Sequence, residues 1–73
     1  MHIGYRYRIY CGTYVETLGA MPLRDDDEAR LFGAGIIRDL MVSAAPRYAN
    51  FTMDIIHGER TVGIIPFRPP YSN

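Results

Sequence analysis

Apolar and polar positions alternate from the start of the chain. Ile3, Tyr5, Tyr7, Ile9 and Cys11 are separated by Gly4, Arg6, Arg8 and Tyr10, the two-residue period of a strand with one buried and one wet face. Tyrosine and isoleucine also suit a pleated surface. Gly12-Thr13 interrupts the pattern, and Tyr14-Val15-Glu16-Thr17-Leu18 predicts a shorter second strand that Gly19 and Pro22 break. The chain is therefore expected to open with a hairpin.

The period then changes. From Asp25 to Ser43 the residues Ala29, Phe32, Ile36, Leu40 and Ala44 fall on one helical face, with Gly33, Ile37 and Met41 beside them, the stripe of a helix lying on a sheet. Asp25 stands where its carboxylate can accept from the N–H of Glu28, and Glu28 where a capping-box acid reaches back to the cap. Pro46 is the expected stop. A thinner stripe, Leu31, Gly35 and Val42, runs along the opposite side and is interrupted by Arg38 and Asp39. A helix resting on one sheet does not need it. Gly33 and Gly35 each cost about 1 kcal/mol relative to alanine in mid-helix; Gly33 borders the core face, where the sheet can approach closely, whereas Gly35 lies on the far stripe.

Alternation returns at Phe51, Met53 and Ile55, predicting a third strand. His57-Gly58-Glu59-Arg60 is the expected turn, and Thr61-Val62-Gly63-Ile64-Ile65 a fourth strand that Pro66 confines to an edge or a bulge. The order ββαββ predicts an α+β two-layer sandwich, a four-stranded and mostly antiparallel sheet with one helix. One helix cannot cover four strands. Ile56, together with either Val62 and Ile64 or Ile65, must face away from it and leave a partly apolar open face.

With 73 residues the chain predicts a single domain over 1–68 and a disordered tail over 69–73, Pro-Pro-Tyr-Ser-Asn. A domain this small buries only about 60% of its unfolded surface, so outside help with stability is expected. Cys11 is the only cysteine, which rules out an internal disulfide and leaves a zinc site short of ligands. Neither metal nor cofactor is expected. The run Asp25-Asp26-Asp27-Glu28 suits the positive end of the helix macrodipole, whereas consecutive carboxylates on a helix point about 100° apart and converge poorly on a cation. Basic and acidic residues balance at eight each, every basic residue being arginine, so no overall field draws the protein to nucleic acid or to a membrane. No apolar run approaches the roughly 20 residues of a membrane span, the first residues lack the order of a signal peptide, and a lone thiol fits a cytoplasmic location.

Candidate chemistry is sparse. Cys11 and His57 would make a nucleophile and base if brought together, but Cys11 continues the apolar parity of the first strand and His57 falls in a turn. Arg6, Arg8 and Tyr10 share one strand face, an arrangement that can stack a base and contact phosphate. The same arginines can instead lay their stems over the sheet and pair with Asp54 or Glu16 on neighbouring strands, and net neutrality favours that reading.

Several short motifs carry a resemblance: Tyr5-Arg6-Tyr7-Arg8-Ile9-Tyr10, Leu23-Arg24-Asp25 running to Ala29-Arg30, Ile36-Ile37-Arg38-Asp39-Leu40-Met41, Met53-Asp54-Ile55 to Arg60-Thr61-Val62, and Ile65-Pro66-Phe67. In these, over nearly its whole length, the chain resembles a family of small uncharacterised bacterial proteins, a domain of unknown function with one helix between two hairpins. The resemblance implies the ββαββ fold and no catalytic residue.

The expected function is that of a non-enzymatic protein–protein interaction module acting as a homodimer, with Leu31, Gly35 and Val42 or the open sheet face as its surface. A nucleic-acid-binding or regulatory protein using Arg6, Arg8 and Tyr10 is the alternative, as is an inhibitor docking on a larger protein by its sheet edge.

Overall fold

The computed structural model describes residues 4–67. Met1–Ile3 and the tail expected over 69–73 lie outside the described residues. The elements follow the order β1 (Tyr5–Cys11), β2 (Tyr14–Met21), α1 (Asp26–Tyr48), β3 (Thr52–His57) and β4 (Arg60–Pro66). The four strands form one antiparallel sheet in the order β2-β1-β3-β4, with α1 as the second layer. The fold is α+β with the ββαββ layout that the alternating and helical periods predict.

Both hairpins close through two residues, Gly12-Thr13 and Gly58-Glu59. Their first positions have φ of 61° and 66°, values at which an L side chain is strained and glycine is not. The second turn is tighter than expected, because His57 and Arg60 are the last paired residues of β3 and β4.

Register divides the sheet into two faces. Tyr5, Tyr7 and Ile9 on β1 pair with His57, Ile55 and Met53 on β3 and face the helix; Arg6, Arg8 and Tyr10 pair with Ile56, Asp54 and Thr52 on the open side. Tyr7, Ile9, Met53 and Ile55 are fully buried, each worth about 1.5–3 kcal/mol of transfer free energy. A bulge settles strand four: Ile55 pairs with Gly63 but Ile56 with Thr61, so Val62 is the extra residue. Val62 and Ile65 both pack against the core, while Ile64, opposite Asp54, projects from the open face. A second bulge lies between Tyr5 and Tyr7, opposite Gly19-Ala20, and carries β2 past Gly19 to Met21.

The helix departs from expectation at both ends of its pattern. Its innermost line is Ala29, Gly33 and Ile37, all buried, whereas Phe32 is partly exposed and Ile36 and Leu40 are intermediate. At Gly33 the sheet leaves no room: a Cβ there would sit 3.0 Å from Met53 Sδ and 3.1 Å from both Ile55 Cδ1 and Tyr7 Cε2. Helical structure also does not end at Ser43. The backbone leaves it at Ala44 (φ −149°, ψ 44°) and resumes to Tyr48. Proline has no N–H for the carbonyl four residues earlier, so Pro46 breaks the hydrogen-bond ladder, yet its fixed φ suits the start of a new helical turn. Beyond the kink, Tyr48, Phe51 and Phe67 form an aromatic cluster with ring centroids 4.9–6.1 Å apart.

Candidate functional site

The acidic start of α1 is fully occupied by structural bonds. Asp25 Oδ1 accepts from the backbone N–H of Glu28 at 2.9 Å, the expected cap. Glu28 reaches back one residue further than a capping box requires, accepting from the N–H of Arg24 at 2.6 Å. Asp27 pairs with Arg30, and Asp26 accepts from the Tyr5 hydroxyl at 2.8 Å with Arg60 at 3.7 Å. The Tyr5 hydrogen bond holds the Asp26 carboxyl below its ordinary range against an opposing effect of burial, and the same bond raises the Tyr5 phenol. An open recess of about 440 Å³ lies here, lined by Tyr5 and Arg24–Asp27. Among the described residues no three His, Cys, Asp or Glu side chains are grouped as metal ligands.

Cys11 and His57 are not brought together. His57 pairs with Tyr5 at one end of the central strands and stacks on its ring, centroids 4.2 Å apart. Cys11 closes the hairpin at the other end of β1, roughly 20 Å away at the strand rise per residue. Strand geometry, not distance in sequence, separates them.

Arg6, Arg8 and Tyr10 do share the open face, but two of them are already engaged. Asp54, only 8% exposed although it lies on the face away from the helix, accepts from Arg8 Nη2 at 2.8 Å and from the Tyr10 hydroxyl at 3.2 Å. Burial and the neighbouring Asp54 carboxylate push the Tyr10 phenol up. Arg6 is exposed opposite Ile56 and makes no ion pair with a described residue.

On the far side of α1, Leu31 is 75% and Val42 82% exposed, and a Cβ on Gly35 would meet nothing within 4 Å. Nothing inside the described fold uses this stripe. A feature that sequence reasoning missed lies beside it. The helix backbone runs closest to β3 and β4, and an apolar hollow of about 200 Å³ opens on its other flank between Phe32, Ile36, Tyr7 and the stretch Leu18–Met21 of β2. The offset of helix over sheet creates that hollow, and no local pattern encodes the offset.

The chain matches no family model, no curated protein and no solved structure, so no relative contributes a function to any of these surfaces.

Proposed function

We propose that the protein is a non-enzymatic protein–protein interaction module that works as a homodimer. The supporting observation is a division of labour between polar and apolar groups. The carboxylates at the helix start and in β3 are consumed by capping, ion pairs and hydrogen bonds, whereas Leu31, Val42, Val15 and Ile64 are each more than half exposed. A chain this short gains little from apolar surface left in water, and association covers it.

Light scattering after size-exclusion chromatography tests the reading, with a dimer expected at tens of micromolar and below. A monomer at all accessible concentrations refutes it.

Nucleic-acid binding through Arg6, Arg8 and Tyr10 is the second reading and is weaker, because Asp54 neutralises Arg8 and holds the Tyr10 hydroxyl. It requires single-strand affinity that falls steeply with salt and is lost when Arg6 and Arg8 become alanine.

A further inference from the structure

Four side chains from four elements close a ring at one end of the sheet. On the helix side of β1 and β3, the His57 imidazole lies on the Tyr5 ring, centroids 4.2 Å apart and planes 13° from parallel. The Tyr5 hydroxyl donates to Asp26 Oδ1 at 2.8 Å, Asp26 Oδ2 faces Arg60 Nη1 at 3.7 Å, and Arg60 Nη2 meets His57 Nδ1 at 3.4 Å. Tyr5 belongs to the buried core, so the ring is anchored. Arg60 is its loosest member, because its side chain is 63% exposed and both of its contacts are long.

The ring holds down a short tip. Beyond the bulge at Val62, β3 and β4 continue for only two pairs, Ile56 with Thr61 and His57 with Arg60, before the turn at Gly58-Glu59. Arg30 fixes the bulge itself, donating to the Val62 carbonyl at 3.0 Å, and Arg60 ties the tip to the start of α1 through Asp26. We infer that the ring is a pH-operated latch: with a neutral His57 it clasps Arg60 and holds the hairpin tip to the helix start, and protonation of His57 expels Arg60 and releases the tip. The latch operates in a monomer and in a dimer alike.

A guanidinium carries donors only, so its approach to Nδ1 is attractive only while that nitrogen is bare and the ring is neutral with its proton on Nε2. Histidine is the side chain suited to change charge between about pH 5 and 8, and His57 is the one histidine among the described residues. The groups around it decide which partner leaves. Tyr5 faces it from β1 and Arg60 from β4; Asp26 stands at the start of α1 with Asp25, Asp27 and Arg30 beside it; Glu59 follows in the turn. The Tyr5 hydrogen bond keeps the Asp26 carboxyl below its ordinary range, so Asp26 stays an anion while the imidazole gains its proton. The imidazolium is attracted by that anion and by the face of the Tyr5 ring on which it already lies. Arg60 meets the new charge at 3.4 Å and, being mostly in solvent, turns away.

NMR on the full-length labelled chain, taken from about pH 8 down to about pH 5, tests the latch. The Arg60 Nε signal is expected to move along the same curve as the His57 ring carbons, and backbone order parameters over residues 58–60 are expected to fall towards the values below about 0.6 that mark a flexible segment. His57→Gln keeps an acceptor for Arg60 but cannot take up the proton, and should hold Arg60 and the tip in place throughout. Arg60→Ala should leave the tip loose already at the upper end of the range. Circular dichroism checks that both variants keep the fold. In the wild type, an Arg60 signal that ignores the imidazole titration overturns the latch whatever the variants do. An Arg60 shift that persists in His57→Gln overturns it too, because the trigger is then a carboxylate, and so does a tip as well ordered in Arg60→Ala as in the wild type.

Discussion

Replacing Gly33 and Gly35 by alanine, one at a time, is expected to change stability in opposite directions. Each substitution relieves the mid-helix glycine penalty of about 1 kcal/mol. At Gly35 nothing lies within 4 Å of the new methyl group, so Gly35→Ala should stabilise by about 0.5–1 kcal/mol. At Gly33 the methyl meets three side chains at once, at 3.0–3.1 Å. Met53 can shift, but Tyr7 is fixed by its hydroxyl, which donates to the Ala29 carbonyl at 2.8 Å, and Ile55 is fully buried. Overpacking of this kind costs about 1–3 kcal/mol, which offsets the helix gain and leaves Gly33→Ala destabilising by about 0–2 kcal/mol. Urea unfolding followed by circular dichroism measures both, and for a domain of this size each kcal/mol moves Tm by about 4–8 °C. Carrying out the comparison at two protein concentrations separates folding from association. If Gly33→Ala stabilises as much as Gly35→Ala, the close approach of sheet to helix is not what holds glycine at position 33.

Three further outcomes are expected. Tyr7, fully buried, has its phenol pushed up to about 12 by burial, with a smaller contribution from Tyr5; between the unfolded value near 10 and that folded value the unfolded chain loses a proton the native one keeps, so stability falls as pH rises through this window. Tyr5 and Tyr10 are raised as well, so spectrophotometric titration should show several late phenols, of which Tyr7→Phe removes the last. Asp26 titrates below its ordinary value, so its contribution is present above the unfolded pKa and is lost as pH falls through the folded one; Tyr5→Phe should move its NMR-detected titration upwards, and an unchanged midpoint would contradict the hydrogen bond. The Arg8 and Asp54 pair, half exposed at the arginine, should show a coupling of about 0.5–1.5 kcal/mol in a double-mutant cycle of Arg8→Met and Asp54→Asn, a value near zero meaning that solvent screens it.

Much of the fold was legible because its signals are local. The alternation of Tyr5, Tyr7 and Ile9 against Arg6 and Arg8, the Asp25 cap, and the glycines at positions 12 and 58 each follow from the stereochemistry of a few adjacent residues. The candidate surfaces were legible in part, since parity alone places Arg6, Arg8 and Tyr10 on one face and helical spacing alone sets Leu31, Gly35 and Val42 opposite the core. The sequence also offered Asp54 and Glu16 as partners for these arginines; that Asp54 is the one that engages Arg8, and that it holds Tyr10 as well, depends on which residue of β3 stands across from Arg8.

By itself, then, the sequence determined the five elements, their order and the faces that β1 and β3 present, for these are fixed by periods of two and 3.6 residues and by turn chemistry. The tertiary structure decided the rest. Pairing register buried Asp54 and made Val62 a bulge; close approach of the layers selected Ala29, Gly33 and Ile37 as the inner line of the helix; and the lateral placement of α1 towards β3 and β4 left a hollow between its flank and β2. Each of these outcomes depends on which distant residues come into contact, and a local period carries no information about that.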